Sequence, residues 1–143
     1  MRRYSFLDTI LAVNGVEATG WSEGDDVIKC TRRTDSASDK VGAAGEMMMS
    51  LSADRSGEVV IKLQQTSSFR AFLLDLLGRQ EAGNLTFIPV NVTFRDVFRQ
   101  DVVTGSVGYI KKPADFQRGA AGNDEEWTFV VERLDILAGD VQV

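Results

Sequence analysis

The chain contains no histidine, one cysteine and two prolines among its 143 residues. Each shortage closes a route. Without histidine the commonest general base is missing, and Ser-His and Cys-His nucleophile systems are excluded outright. A zinc site that mixes cysteine with imidazole is excluded for the same reason. The lone Cys30 cannot form an internal disulfide, and sparse cysteine use fits a reducing compartment. No apolar run approaches the ~20 residues that a membrane-spanning helix needs, so no membrane partner is expected. Positive charge is also short: 16 Lys and Arg against 21 Asp and Glu leave a net charge of -5. Counterion release, the main source of non-specific nucleic-acid affinity, needs clustered cations. A DNA-binding module is therefore disfavoured, although DNA can slide past an acidic surface without sticking.

What is present is an ordinary globular balance, 43% hydrophobic and 26% charged, at a length that suits one domain with a real core. The opening "MRRYSFLDTILAVNG" mimics a signal peptide, but Asp8 interrupts its apolar run and no small-residue cleavage site follows. It reads as a first strand over residues 4–13. Further strands are expected over 27–33, 46–53 and 58–65. In the last of these Val59, Ile61 and Leu63 share one face, and Glu58, Lys62 and Gln64 the other. Phe69, Phe72, Leu73, Leu76 and Leu77 then follow the i, i+3, i+4, i+7, i+8 spacing of an amphipathic helix. Ser67 or Ser68 is placed to cap its start and Gly78 to end it. Strands resume over 85–94, where Pro89 suits an edge or a bulge, and over 105–112 and 126–137. Seven strands and one principal helix argue for a mainly β fold, an antiparallel β-sandwich or barrel with a flanking α-helix, in a single domain over 1–143. Residues 34–45, "TDSASDKVGAAG", are polar and small, and 34–42 is expected to be a mobile loop.

Candidate chemistry is thin. Cys30 lies in a strand pattern and reads as a small core residue rather than a reactive thiol. Asp25–Asp26 and Asp124–Glu125–Glu126 lack the spacing of a calcium loop and read as solvated loop charge. The paired glycines of "VTGSVGY" and "VGAAGE" make neither a P-loop nor a dinucleotide fingerprint, and read as turns or strand-packing glycines. Arg32, Arg33 and Lys40 form a small basic spot flanked by Asp35 and Asp39, a fair partner for acids on another subunit. Met47 and Met49 on one face of a strand, with Met48 opposite, suggest that neither face is fully wet, whether through core packing or a subunit interface. No catalytic residue, cofactor or metal ligand is expected.

The order of these segments resembles that of the tail tube proteins of contractile phages (myophages). The resemblance is carried by "VGAAGEMMMSLSADRSGEVVIKLQQTSSFRAFLLDLL", by the opening "YSFLDTILAVNG", by "GYIKKPADF" and by the closing "EWTFVVERLDIL". It runs over nearly the whole chain. It departs at "VGAAG", where Ala44 stands in place of the acid expected there, and the loop before it is more polar than is usual.

The resemblance implies a β-sandwich subunit with a flanking helix, six copies of which close into a ring. Rings stack into a hollow tube inside a contractile sheath, and DNA passes down the lumen without specific binding. The implied partners are further copies of the chain, the tail sheath, the baseplate and the tail terminator, in a virion assembled in the host cytoplasm. Six copies carry 6 × (-5) = -30 formal charges, and a lumen with part of that charge would keep DNA mobile. Two lumen faces are candidates: Glu58, Lys62 and Gln64, or Glu46, Ser50 and Ser52. Asp35, Ser36, Ser38, Asp39 and Lys40 are expected to make the ring-to-ring contact. Phe69, Phe72, Leu73, Leu76 and Leu77 are expected to pack the helix. The alternatives are a tail terminator or baseplate ring protein and, less favoured, a small ligand-binding β-barrel.

Overall fold

Alternation of apolar and polar side chains organises the main sheet. The computed structural model describes residues 4–24, 26–83 and 85–139. In β6 (Gly57–Gln64) Val59, Ile61 and Leu63 are fully buried while Gln64 is exposed. In β9 (Asp124–Leu137) Glu125, Trp127, Phe129 and Val131 point inward. These two strands pair antiparallel over their full overlap, Gly57 opposite Val131 through Gln64 opposite Asp124.

Around that pair lie β8 (Val102–Lys112), β7 (Val90–Asp96), β1 (Thr9–Val13) and β2 (Val16–Glu17) on one side, and β3 (Ile28–Arg32) on the other. The seven-stranded order is β2-β1-β7-β8-β9-β6-β3, with every neighbouring pair antiparallel. Leu11 and Val13 near one end of this order share a contiguous core with Val59, Ile61 and Leu63 near the other, so the sheet curls on itself. The chain after β2 helps to close the curl. Gln64 N–H donates to Gly20 C=O at 2.8 Å, Ser22 N–H to Lys62 C=O at 3.1 Å, and Trp21 bridges Leu63.

The helix α1 (Phe69–Glu81) buries Phe69, Leu73 and Leu76 in this core, with Phe72 and Leu77 packed at its margin. Full burial of three such side chains is worth roughly 5–9 kcal/mol before entropy is subtracted. The mainly β class and the single flanking helix are therefore as expected.

Several boundaries differ from the sequence expectation. Residues 4–13 are not one strand. A 3-10 turn at Phe6–Asp8 precedes β1, held by Ser5 Oγ accepting from Leu7 N–H at 3.2 Å and by Thr9 Oγ1 donating to Phe6 C=O at 2.6 Å. Such local hydrogen bonds compete with a ladder. The Asn14–Gly15 pair closes a two-residue hairpin into β2, both residues having positive φ as a type I′ turn requires. Residues 85–89 are not strand. Pro89 has no N–H for a ladder, so β7 begins at Val90; it lies inside the sheet rather than at an edge, and its register with β8 shifts between Val90 and Val92, in keeping with the bulge alternative. Gly78 lies within α1, which runs on to Glu81, and the positive-φ glycine beyond the helix is Gly83. Ser68 occupies the N-cap position without a side-chain bond. Ser67 Oγ accepts from Phe69 N–H at 3.3 Å and donates to Thr19 C=O at 2.5 Å.

The largest departure is the stretch expected to be a mobile loop at 34–42. It contains a strand, β4 (Ala37–Val41), which pairs only with β5 (Met47–Leu51). Together they form a two-stranded ribbon separate from the main sheet, closed by a turn in which Gly42 N–H donates to Glu46 C=O at 2.7 Å.

Candidate assembly surface

Every residue of β4 and β5 is exposed. Val41, Met47, Met48, Met49 and Leu51 lie between 60% and 76% exposed. The methionines are therefore not core. A free two-stranded ribbon is at best marginally stable in water, and a cluster of exposed apolar side chains is a candidate interaction surface. Asp35, Ser36, Ser38, Asp39 and Lys40 are likewise all exposed, on or just before β4. Glu46 ends the turn, and Ser50 and Ser52 lie on or just beyond β5. These two residue sets, which the sequence reading kept apart as stacking loop and lumen face, belong to one projecting arm.

The other proposed lumen set lies elsewhere. Glu58, Lys62 and Gln64 face outward from β6, beside outward residues of β9: Lys62 is opposite Glu126 and Gln64 opposite Asp124. Lys111 Nζ donates to Glu58 Oε1 at 2.8 Å across this face, and Arg133 pairs with Asp135 at 2.9 Å. The surface is therefore mixed in sign, with cations standing among acids.

The acidic run at 124–126 is not a solvated loop. It opens β9, and Glu125 is 3% exposed. Arg70 of α1 holds it, with Nε at 2.8 Å from Oε1 and 2.7 Å from Oε2. Inward alternation of β9 drives Glu125 under the helix, and only a cation there makes that burial tolerable. The signal legible in the sequence was the alternation itself, Glu125 being in phase with Trp127 and Phe129. Of the other pair, Asp25 lies outside the described residues.

A second seam joins helix and sheet. β7 reaches β8 only as far as Val90 opposite Gly108. Beyond it the Gln80 side chain takes the place of a strand: its Nε2 donates to Ile110 C=O and its Oε1 accepts from Ile110 N–H, both at 2.9 Å. Gly108 is a packing glycine as expected, since a Cβ there would collide with the Val130 carbonyl oxygen.

Cys30 is half-buried on β3, and its burial pushes the thiol pKa up to about 11, opposite to the activation of a nucleophile. It lines an apolar groove of about 300 Å³ with Tyr4, Ile28, Phe94, Val103 and Ile136 among its walls. The basic spot is spread out. Arg32 reaches to 3.9 Å from Asp135 of β9, while Lys40 lies on the arm. Among the described residues there is no group of three or more His, Cys, Asp and Glu able to hold a metal, and no helix is long and apolar enough to cross a membrane.

A curled antiparallel sheet, one flanking helix and an uncovered ribbon define the fold, which recurs in solved chains of contractile injection systems. The fold is shared with three solved chains. One is the sheath/tube terminator of the extracellular contractile injection system PVC in its extended state, at TM-score 0.63 and 9% identity over 96% of this chain and 99% of that one. Another is the tube-terminating cap of the anti-feeding prophage, at 0.61 and 7% over 97% and 93%. The third comes from the PVC sheath-tube complex in its extended state, at 0.60 and 8% over 95% and 92%. No curated protein matches the sequence. The model of the family described as the Bacteriophage PhiTE tail tube protein matches residues 1–139, and the chain belongs to that family. It is a structural tail protein, not an enzyme.

Proposed function

We propose that this chain polymerises as stacked hexameric rings into the inner tube of a contractile phage tail, the conduit for DNA at ejection. The observation that carries the reading is the β4–β5 ribbon, an arm of ten exposed residues whose apolar side chains have no cover within the subunit. A ring closes through a heterologous contact, one patch of each copy meeting a different patch of the next. Among the described residues the outer border of β3 is paired only on its β6 side, and it offers backbone for such a neighbour.

In this reading Asp35, Ser36, Ser38, Asp39 and Lys40 reach from one ring to the next. Glu58, Lys62 and Gln64, on the broad outer face of the main sheet, are the better of the two lumen candidates, because copies side by side can join that face into a continuous wall. Its mixed charge leaves DNA without a cluster of cations to grip. Sheath, baseplate and terminator proteins are the partners outside the tube, and assembly takes place in the host cytoplasm.

A tube terminator is the second reading, favoured by the fact that two of the three solved chains named above are a terminator and a cap. Negative-stain imaging of the purified chain at high concentration separates them. Long tubes are expected, whereas single rings would transfer the assignment to a terminator, and a monomer at all concentrations would overturn both. Deleting residues 35–40 is expected to leave a folded subunit that forms no tubes, and tubes of normal length from that variant would refute the arm's role.

A further inference from the structure

The ribbon has two unlike faces. Directly opposed residues of an antiparallel pair share a face, and the register sets Ala37 opposite Leu51, Asp39 opposite Met49 and Val41 opposite Met47. That face is apolar apart from Asp39. The alternate pairs, Ser38 with Ser50 and Lys40 with Met48, make the other face mostly polar. Elsewhere on the same chain lies the groove of about 300 Å³ lined by Ile28, Cys30, Phe94, Val103 and Ile136. It adjoins β3, whose far border is unpaired among the described residues.

We infer that the apolar face of one copy's ribbon, Met47 and Met49 foremost, seats in this groove on a second copy of the chain. The inference rests on the tube reading and specifies its contact. Three features select a copy of the chain as occupant. A projecting apolar surface and a recessed apolar surface on one chain are the two unlike halves that a heterologous, propagating contact requires. Flexible thioether side chains fill irregular apolar recesses well. The charges also match. Asp39, the acid on the ribbon's apolar face, makes no ion pair with the described residues of its own chain. Arg32 lies on the same face of β3 as Ile28 and Cys30, one-third exposed and only 3.9 Å from Asp135. Arg32 does not line the groove but stands beside it, with Thr31, Arg33 and Glu58, so Asp39 of the incoming ribbon meets it at the rim, and the polar ribbon face is left turned to solvent.

Because Cys30 is the only cysteine and lies in the groove, cross-linking tests the contact directly. Single Met47→Cys and Met49→Cys variants, assembled and then oxidised at mildly alkaline pH, are expected to give a ladder of disulfide-linked dimers, trimers and higher multimers. The same substitutions in a Cys30→Ser background, and Ser38→Cys or Ser50→Cys on the polar face, are expected to stay monomeric on a non-reducing gel. In the unaltered chain a maleimide should label the half-buried Cys30 slowly in free subunits and markedly more slowly in tubes, a readout that survives if the methionine variants fail to assemble. Tubes in which Cys30 stays as reactive as in free subunits, or ladders from the polar face alone, would overturn the seating while leaving the tube reading intact. A chain that forms neither rings nor tubes would overturn both.

Discussion

The strands β5 and β6 are neighbours in the sequence and opposites in the fold. "MMMSL" at 47–51 and "VVIKL" at 59–63 have similar length and apolar content. All five residues of β5 are exposed, whereas Val59, Ile61 and Leu63 are fully buried. The difference lies in what surrounds each strand. β6 runs between β9 and β3 and shares its core with α1, while β5 has only β4 beside it. An apolar side chain of this size contributes roughly 1.5–3 kcal/mol when fully buried. β6 realises that gain within the subunit. β5 leaves that surface uncovered in the subunit, although the two strands follow one another in the chain.

Substitutions in the two regions should therefore separate folding from assembly. The largest effect is expected from Leu73→Asp, which places an unpaired carboxylate where α1 meets the inner residues of β6 and β9. A loss of more than about 4 kcal/mol should follow, read as insoluble protein or collapse of the thermal transition; a soluble, well-folded variant would show that the helix is not buried. Next comes Arg70→Met, which leaves the buried Glu125 with only the more distant Arg118, at 3.9 Å, and should cost up to about 3 kcal/mol by denaturant titration. Adding Glu125→Gln to it should recover part of that loss, because the uncompensated charge is gone.

A smaller effect is expected from alkali. Burial raises the Cys30 thiol from the ordinary value to about 11. The unfolded chain then releases its proton first, so this contribution to stability is complete below the unfolded pKa, declines as pH rises and is lost above about 11. Denaturation midpoints followed across that window should fall in the parent and fall less in Cys30→Val. The smallest effect on folding is expected on the ribbon: Met47→Ser with Met49→Ser should shift subunit stability by no more than about 0.5 kcal/mol. The same pair should abolish tubes in the microscope. Tubes of normal abundance would break the contrast between the two strands.

Much of the fold was legible because the signal was periodic. Val59, Ile61 and Leu63 at period two, and Phe69, Leu73 and Leu76 at helical spacing, led to the right faces of β6 and α1. The arm was hidden because Ser36, Ser38, Asp39 and Lys40 look like solvent-exposed loop whether or not their backbone pairs with another strand. Glu125 was hidden because a short acidic run has the composition of a loop, and only its phase with Trp127 and Phe129 pointed inward. The groove was not legible at all. Its walls come from β3, β7, β8 and β9 and from Tyr4, spread over more than a hundred residues.

Composition and periodicity by themselves settled that this chain lacks histidine chemistry, that its balance is mainly β with one amphipathic helix, and which side of the fourth apolar run faces a core. Those properties depend on residue type and local spacing, which a sequence carries in full. Tertiary structure decided that the three methionines of β5 stay uncovered, that Glu125 meets Arg70 under the helix, and that a recess opens beside a strand at the border of the sheet. These depend on which distant segments become neighbours, and local propensity does not encode that choice.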